Sequence, residues 1–465
     1  MLNQASRERG GELQPARPDA LGRIGQTIVA PAAGGTHRLI AETRPSIWGR
    51  SALMALVFLL ATSVPTARMV RQLNVPGHPE LPYYGLQDFR DAFYYPSVSL
   101  LDGHNPYNEA DYVRRYPVGD DFPLYSPISL AVHLPFALLG IRAAEALFYL
   151  LNVALTLVLA ALSFRLAGAQ ATAARVFALG ALVMLSRPGH MNLFTGQCTV
   201  YVVIGVYVAL RFARSRPWLA AGGLALSYLK PTYGVPLALL MLCRRDVRAV
   251  LLGTGVGGLV SAAMLPFLVR AAGGVGPLLD SLLKNYLTFG GKPSVDSIYR
   301  IDAVWFFGHL LGSSPEGGAD VGITLGILWL GGLAVWLLAQ RSHDASRVVS
   351  SSLICVTILT CVYHQAYDAL ILTFPLVAVV GWRGAPAISR LGPAMRAILV
   401  CLFAVPALNY LVSDGGMRLL VGRDPWWFVV TSLNGGAVLA AFLLYLGAAM
   451  RAAEAPASRP AHVKT

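Results

Sequence analysis

"SALMALVFLLATSVPTA", residues 51–67, holds no charged side chain, and a polar stretch with three aspartates, "GLQDFRDAFYYPSVSLLDGHNPY" (85–107), follows soon after it. A run of this kind approaches the roughly 20 apolar residues that a helix needs to cross a bilayer. Similar runs recur along the chain as "YVVIGVYVALRFA" (201–213), "GITLGILWLGGLAVWLLA" (322–339) and "GGAVLAAFLLYLGAAM" (435–450). Of the 465 residues, 55% are hydrophobic and 13% charged, with a mean hydropathy of +0.56. Soluble domains carry about a quarter charged residues, so this chain cannot cover a water-facing surface of its own size. Unpaired backbone groups cost several kcal/mol each in lipid, which leaves helices as the spanning element. The fold class read here is an all-α polytopic membrane protein.

The net charge of +13 does not signal nucleic acid. Basic residues sit in short connectors, "CRRDVR" (243–248), "AQRSHDASR" (339–347) and "WRGAPAISR" (382–390), the pattern of cytoplasmic loops. The five cysteines lie in or beside apolar segments, which predicts neither a disulfide framework nor a zinc site. Residues 1–46 read as a disordered cytoplasmic tail, too long to be a signal-peptide n-region, so the first apolar run reads as a signal anchor. The membrane domain spans 47–450, with external loops at 68–125 and 273–320, and 451–465 form a cytoplasmic tail. If every apolar segment crossed, "RFARSR" (211–216) would fall outside, against the charge rule. It falls inside if the short 127–140 segment does not cross and the 217–243 run breaks at "LKPTYG" (229–234) into two half-helices. This version leaves about 11–13 membrane segments.

Polar residues in or beside a membrane core are costly and therefore functional candidates. Asp88 and Asp91 are three apart, on one face of a helix, where a carboxylate serves as a general base or, equally, caps a helix. In "YHQAYD" (363–368), His364 and Asp368 share a helix face and suit a phosphate, a metal or each other. Lys230, in "SYLKPTYG", pairs with an anion or snorkels to the interface. Gln197 closes "NLFTGQ", either an ordinary turn or a hydrogen-bonding partner for a hydroxylated substrate.

Taken in order, "DFRDAFYYPSVSLLDGHNPY", "FPLYSPISLAVHLPFALLG", "FTGQ", "LKPTYGVPLALLMLCRRDVRAVL" and "YHQAYDALIL" resemble glycosyltransferase family 87, over about residues 85–375. That resemblance implies a GT-C fold and transfer of a sugar, mannose before arabinose, from a polyprenyl-phosphate carrier to an extracytoplasmic glycolipid or glycan. It implies a plasma-membrane (inner-membrane) enzyme, inversion in one displacement, and an acidic base in the first external loop. The family pattern places one aspartate ahead of a Gly-x-x-x-Tyr turn, matched by Gly103 and Tyr107. Asp88 stands one residue too far from that turn and Asp91 slightly too near. On this reading Asp88, or else Asp91, is the base. Lys230 and His364, with Arg300 third, meet the donor phosphate, while Gln197, Tyr94, Tyr95, Tyr363 and Asp368 contact sugar or acceptor. The partners are then the lipid donor, the acceptor and membrane lipid. No cofactor is implied, and a divalent metal is compatible but not demanded. Two other readings compete: a flippase of lipid-linked sugars, and an O-antigen-ligase-like transferase with a lipid diphosphate donor.

Overall fold

The computed structural model describes residues 47–73, 85–119, 122, 125–289, 298–311, 318–340, 344–381, 391–420 and 424–454. The N-terminal tail (1–46), Asp120, Asp121 and the C-terminal tail from 455 onward lie outside the described residues. What is described is helical, and its one isolated strand-like bridge joins Arg300 to Gln365. Five helices are long and apolar enough to cross a membrane: Gly49–Gln72, Ile141–Leu166, Val247–Ala272, Asp320–Ala339 and Trp426–Arg451. Seven shorter apolar helices pack among them, and the chain is a multi-pass membrane protein.

The 217–243 run does break. Helices Pro217–Ser227 and Pro231–Cys243 each begin on a proline, whose fixed φ suits the first turn. Pro231 also drives the residue before it out of the helical region, and Lys230 is extended at φ −105°, ψ 106°. At about 1.5 Å per residue, neither half reaches across the roughly 30 Å hydrocarbon layer. The helix Pro127–Ala137 is equally short.

Two glycines fix where the break lies. A Cβ on Gly205 would meet the Gly223 carbonyl oxygen at 2.6 Å, and a Cβ on Gly223 would meet that of Gly205 at 2.6 Å. Helices Thr199–Phe212 and Pro217–Ser227 therefore touch backbone to backbone, as membrane helices do where small residues face each other. Tyr207 ties the first of them to the short 3₁₀ helix Ala366–Leu372. Its hydroxyl donates to the Ile371 carbonyl at 2.9 Å and accepts from the Phe374 N–H at 2.9 Å.

The connector "CRRDVR" does more than carry charge. Arg244 is buried, ion-paired with Asp246 and bonded to Ser351 Oγ (3.0 Å) and the Leu210 carbonyl (3.1 Å), while Arg214 reaches Asp246 at 3.2 Å. One buried carboxylate thus ties two connectors together, and Arg244 fastens them to two helices.

Because backbone opposes backbone at Gly205 and Gly223, Gly223→Leu has no side chain to displace. It is expected to destabilise the protein by about 1–3 kcal/mol, read as a lower unfolding temperature in detergent, whereas Gly222→Leu, whose Cβ meets nothing within 4 Å, is expected to be tolerated.

Candidate functional site

The site is built around a wide helical turn. Residues Gln87–Phe89 start a helix, Arg90–Tyr94 continue it as a π-helix, and Tyr95–Leu101 complete it as an α-helix. A π turn holds one residue more than an α turn. Asp88 and Asp91 therefore do not share a face, contrary to the α-helical expectation. Asp91 is buried and accepts the Gly119 N–H at 3.1 Å, while its carbonyl takes the Tyr112 hydroxyl at 2.7 Å. Arg90 forms a buried ion pair with Glu145. The same turn carries Tyr94 and Tyr95 away from Asp88. Tyr94 donates to the Leu139 carbonyl (2.9 Å), and Tyr95 packs on Tyr94 and Tyr116. Both tyrosines, expected to contact sugar, thus make their contacts with Leu139 and Tyr116.

Asp88 turns instead toward "FTGQ". Gly196 ends the helix Arg187–Thr195 with φ +74°, the left-handed cap that glycine adopts without strain. A Cβ there would meet the Phe89 Cβ at 2.8 Å, so the two segments touch at this glycine, and Leu86 N–H donates to the Phe194 carbonyl at 2.8 Å. Thr195 and Gln197, on either side of Gly196, are polar neighbours that favour the charged form of the Asp88 carboxylate. Asp88 is half-buried at its surface yet lies deep within protein on all other sides. Burial pushes its carboxyl above the ordinary carboxylate range. These two side chains and the charge of Lys230 offset part of that rise, and Asp368 adds to it.

Behind Asp88 lies a buried polar network. Gln197 accepts the Tyr125 hydroxyl at 3.4 Å and donates to the Tyr367 hydroxyl at 3.4 Å. Lys230 Nζ donates to Thr199 Oγ1 and to Asp368 Oδ1, each at 3.0 Å, and stands 4.5 Å above the Tyr367 ring. Asp368 Oδ1 also takes the Thr199 and Tyr233 hydroxyls at 3.1 Å. Its Oδ2 takes His364 Nδ1 at 3.2 Å and the Gln365 N–H at 3.0 Å, the latter as half of a capping box. A carboxylate only accepts, so His364 carries its proton on Nδ1. The imidazole is 0% exposed and its Nε2 has no hydrogen-bond partner among the described residues.

Arg300 joins this region by its backbone. The bridge to Gln365, with Ile301 N–H donating to the His364 carbonyl at 3.0 Å, lays the 298–302 segment against "YHQ". The guanidinium is held by both oxygens of Asp302 (2.9 and 2.8 Å) and lies 5.2 Å over the Tyr363 ring.

The structure thus gathers Asp88, Gln197, Lys230, His364 and Asp368 into one cluster, with Tyr363 and Arg300 at its edge. Thr195, Thr199, Tyr125, Tyr233 and Tyr367 belong to it without having been singled out. Tyr233 and Tyr367 lie inside the quoted motifs, where their hydroxyls were the available signal. Among the described residues no group of three His, Cys, Asp or Glu side chains stands together as a metal-ligand set.

Removing a buried charge and removing a hydrogen-bond acceptor have opposite expected effects. Asp88→Asn is expected to leave the unfolding temperature at neutral pH unchanged or raised, because burial already disfavours its charged form. In the wild type the Asp88 contribution to stability grows as pH falls through its raised pKa. Asp91→Ala leaves the Gly119 N–H without that acceptor and is expected to cost about 1–3 kcal/mol. Thermal unfolding of both variants in detergent checks the contrast.

The family model described as Glycosyltransferase family 87 matches residues 124–363, more than half of the chain. The matched span holds Gln197, Lys230, Arg300 and Tyr363 and ends short of both cluster carboxylates. Neither a curated protein nor a solved structure matches the chain.

Proposed function

The chain belongs to glycosyltransferase family 87, and from that premise we propose that it transfers a hexose, mannose first among candidates, from a polyprenyl-phosphate carrier to a glycolipid or glycan acceptor. Asp88 is the base. One observation carries this reading: a partly exposed carboxylate with a raised pKa shares a cluster with a lysine ammonium whose charge it feels. Those are the two opposite groups that an inverting displacement needs.

In the proposed step, Asp88 accepts the proton of the acceptor hydroxyl as its oxygen attacks the anomeric carbon. The bond from that carbon to the phosphate oxygen breaks, and its electron pair leaves with the polyprenyl phosphate. Lys230 has three N–H donors, two of which hold Thr199 and Asp368; the third is the one a phosphate oxygen takes. Gln197 lies between Asp88 and the Tyr367 ring over which Lys230 stands, where it can meet a sugar hydroxyl. His364 lies behind Asp368 and acts on the phosphate only through the network, while Arg300 and Tyr363 form the far wall.

Membrane orientation supports an extracytoplasmic site. Lys230 and the basic Arg244–Arg245 pair occupy opposite ends of the half-helix Pro231–Cys243, about 20 Å apart at helical rise. With the arginine end cytoplasmic, Lys230 points toward the outer half of the bilayer. Asp88, which follows the membrane helix Ile47–Gln72 in the chain, lies close enough to Lys230 to feel its charge.

The test is transfer from radiolabelled polyprenyl-phosphate mannose, then other lipid-phosphate hexoses, into envelope lipids, in vesicles of both orientations. Asp88→Asn is expected to lower kcat at least 1,000-fold with the protein folded, and Asp91→Asn far less. A base must be ionised, so wild-type kcat/KM is expected to rise with pH through the raised pKa of Asp88, above the ordinary carboxylate range. Full activity of folded Asp88→Asn would end this assignment.

A further inference from the structure

Asp368 was expected to touch sugar or acceptor, yet protein donors occupy both of its oxygens. Thr199, Lys230 and Tyr233 converge on Oδ1, and His364 with the Gln365 N–H on Oδ2. A carboxylate offers about four lone-pair sites, and five donors fill them. The side chain is 3% exposed. What it does instead follows from its charge. We propose that Asp368 is a positioning residue and fixed counter-charge that keeps Lys230 in place while limiting how tightly the site holds the departing polyprenyl phosphate. The proposal rests on the reading that Lys230 meets the donor phosphate.

The argument is one of changing charge. A polyprenyl-phosphate sugar is a phosphodiester with one negative charge. Breaking the sugar–phosphate bond leaves a monoester, which approaches two negative charges near neutral pH. A buried ammonium with no counter-ion would hold the product far more strongly than the donor, and release would limit turnover. Here the Nζ–Oδ1 separation is 3.0 Å and both side chains are nearly wholly buried, so the cation is balanced before any ligand arrives. Attraction to Lys230 and repulsion from Asp368 then rise together as the leaving group gains charge, and the gap between donor and product narrows. Thr199 supplies the complementary control, because it holds the same ammonium at 3.0 Å and carries no charge. Asp88 adds negative charge only when ionised, and proton transfer from the acceptor neutralises it as the product forms.

Two ligands separate the charge states: farnesyl phosphate, doubly charged at pH 8, and its methyl ester, singly charged. Binding to the full chain in nanodiscs is measured for each. The wild type is expected to prefer farnesyl phosphate over the ester by less than about tenfold. Asp368→Asn, similar in shape but uncharged, is expected to bind farnesyl phosphate about tenfold tighter and to widen that preference. Thr199→Val is expected to weaken both ligands alike. If folded Asp368→Asn binds farnesyl phosphate no tighter than wild type, while Lys230→Met abolishes binding, the counter-charge role is overturned and the donor-phosphate reading stands. Should Lys230→Met bind as wild type does, or the wild type bind neither ligand, the donor-phosphate reading itself falls. Where Asp368→Asn does not fold, the wild type decides: a preference of a hundredfold or more for the doubly charged ligand overturns the proposal.

Discussion

The contact between Lys230 and Asp368 is the constraint on which the rest of the site depends. It joins two places where the chain leaves regular helix: the break between two half-helices and the N-terminus of a 3₁₀ segment. A buried ion pair gains little net free energy, because desolvating two charges costs about as much as their attraction returns. What it supplies is position. Breaking it by removing one partner strands a charge in a low-dielectric interior, so the two segments are held in one arrangement. Thr199 and Tyr233 bond the same carboxylate oxygen, which adds the helix Thr199–Phe212 and the second half-helix to the same point.

Around that pair, the two first-loop carboxylates divide between structure and chemistry, and the π turn divides them. Asp91 is fully engaged and buried. Asp88, with part of its surface open and its carboxyl raised by burial, retains capacity for a proton. The turn between Arg90 and Tyr94 holds one residue more than an α turn. A π turn absorbs a single surplus residue and leaves the helix on either side in register. Ala92, small and set among neighbours that each make a specific contact, is the residue the turn can most readily spare.

How legible was this in the sequence? The membrane class and the broken 217–243 helix were, since apolar runs and prolines act locally and leave little choice. The resemblance to glycosyltransferase family 87 was legible too, and the family match decides for a transferase against a carrier that only translocates lipid-linked sugars. Lys230, Gln197, His364 and Asp368 could be singled out because polar residues in apolar surroundings are conspicuous. Their partnership could not, since Lys230 and Asp368 are 138 residues apart and nothing local sets that pairing. The π turn escaped for another reason: its residues are ordinary helix formers, and the wide turn answers to Glu145, Gly119 and Leu139 rather than to local propensity.

Gly196 shows how tightly the two carboxylates are coupled through backbone alone. Its left-handed cap ends one helix, its missing side chain admits the Asp88 segment, and the next residues begin the helix that carries Thr199. Two residues separate the glycine that seats the Asp88 segment from the threonine that holds the Lys230 ammonium. A shift at Gly196 therefore moves both charged centres in the same sense. Reaction geometry depends on separations held to within about an ångström, and a short rigid segment preserves them better than two independent loops. The same short segment explains why the weak signal "FTGQ" sits at the centre of the cluster: its glycine brings the Asp88 segment against the helix that carries Thr199.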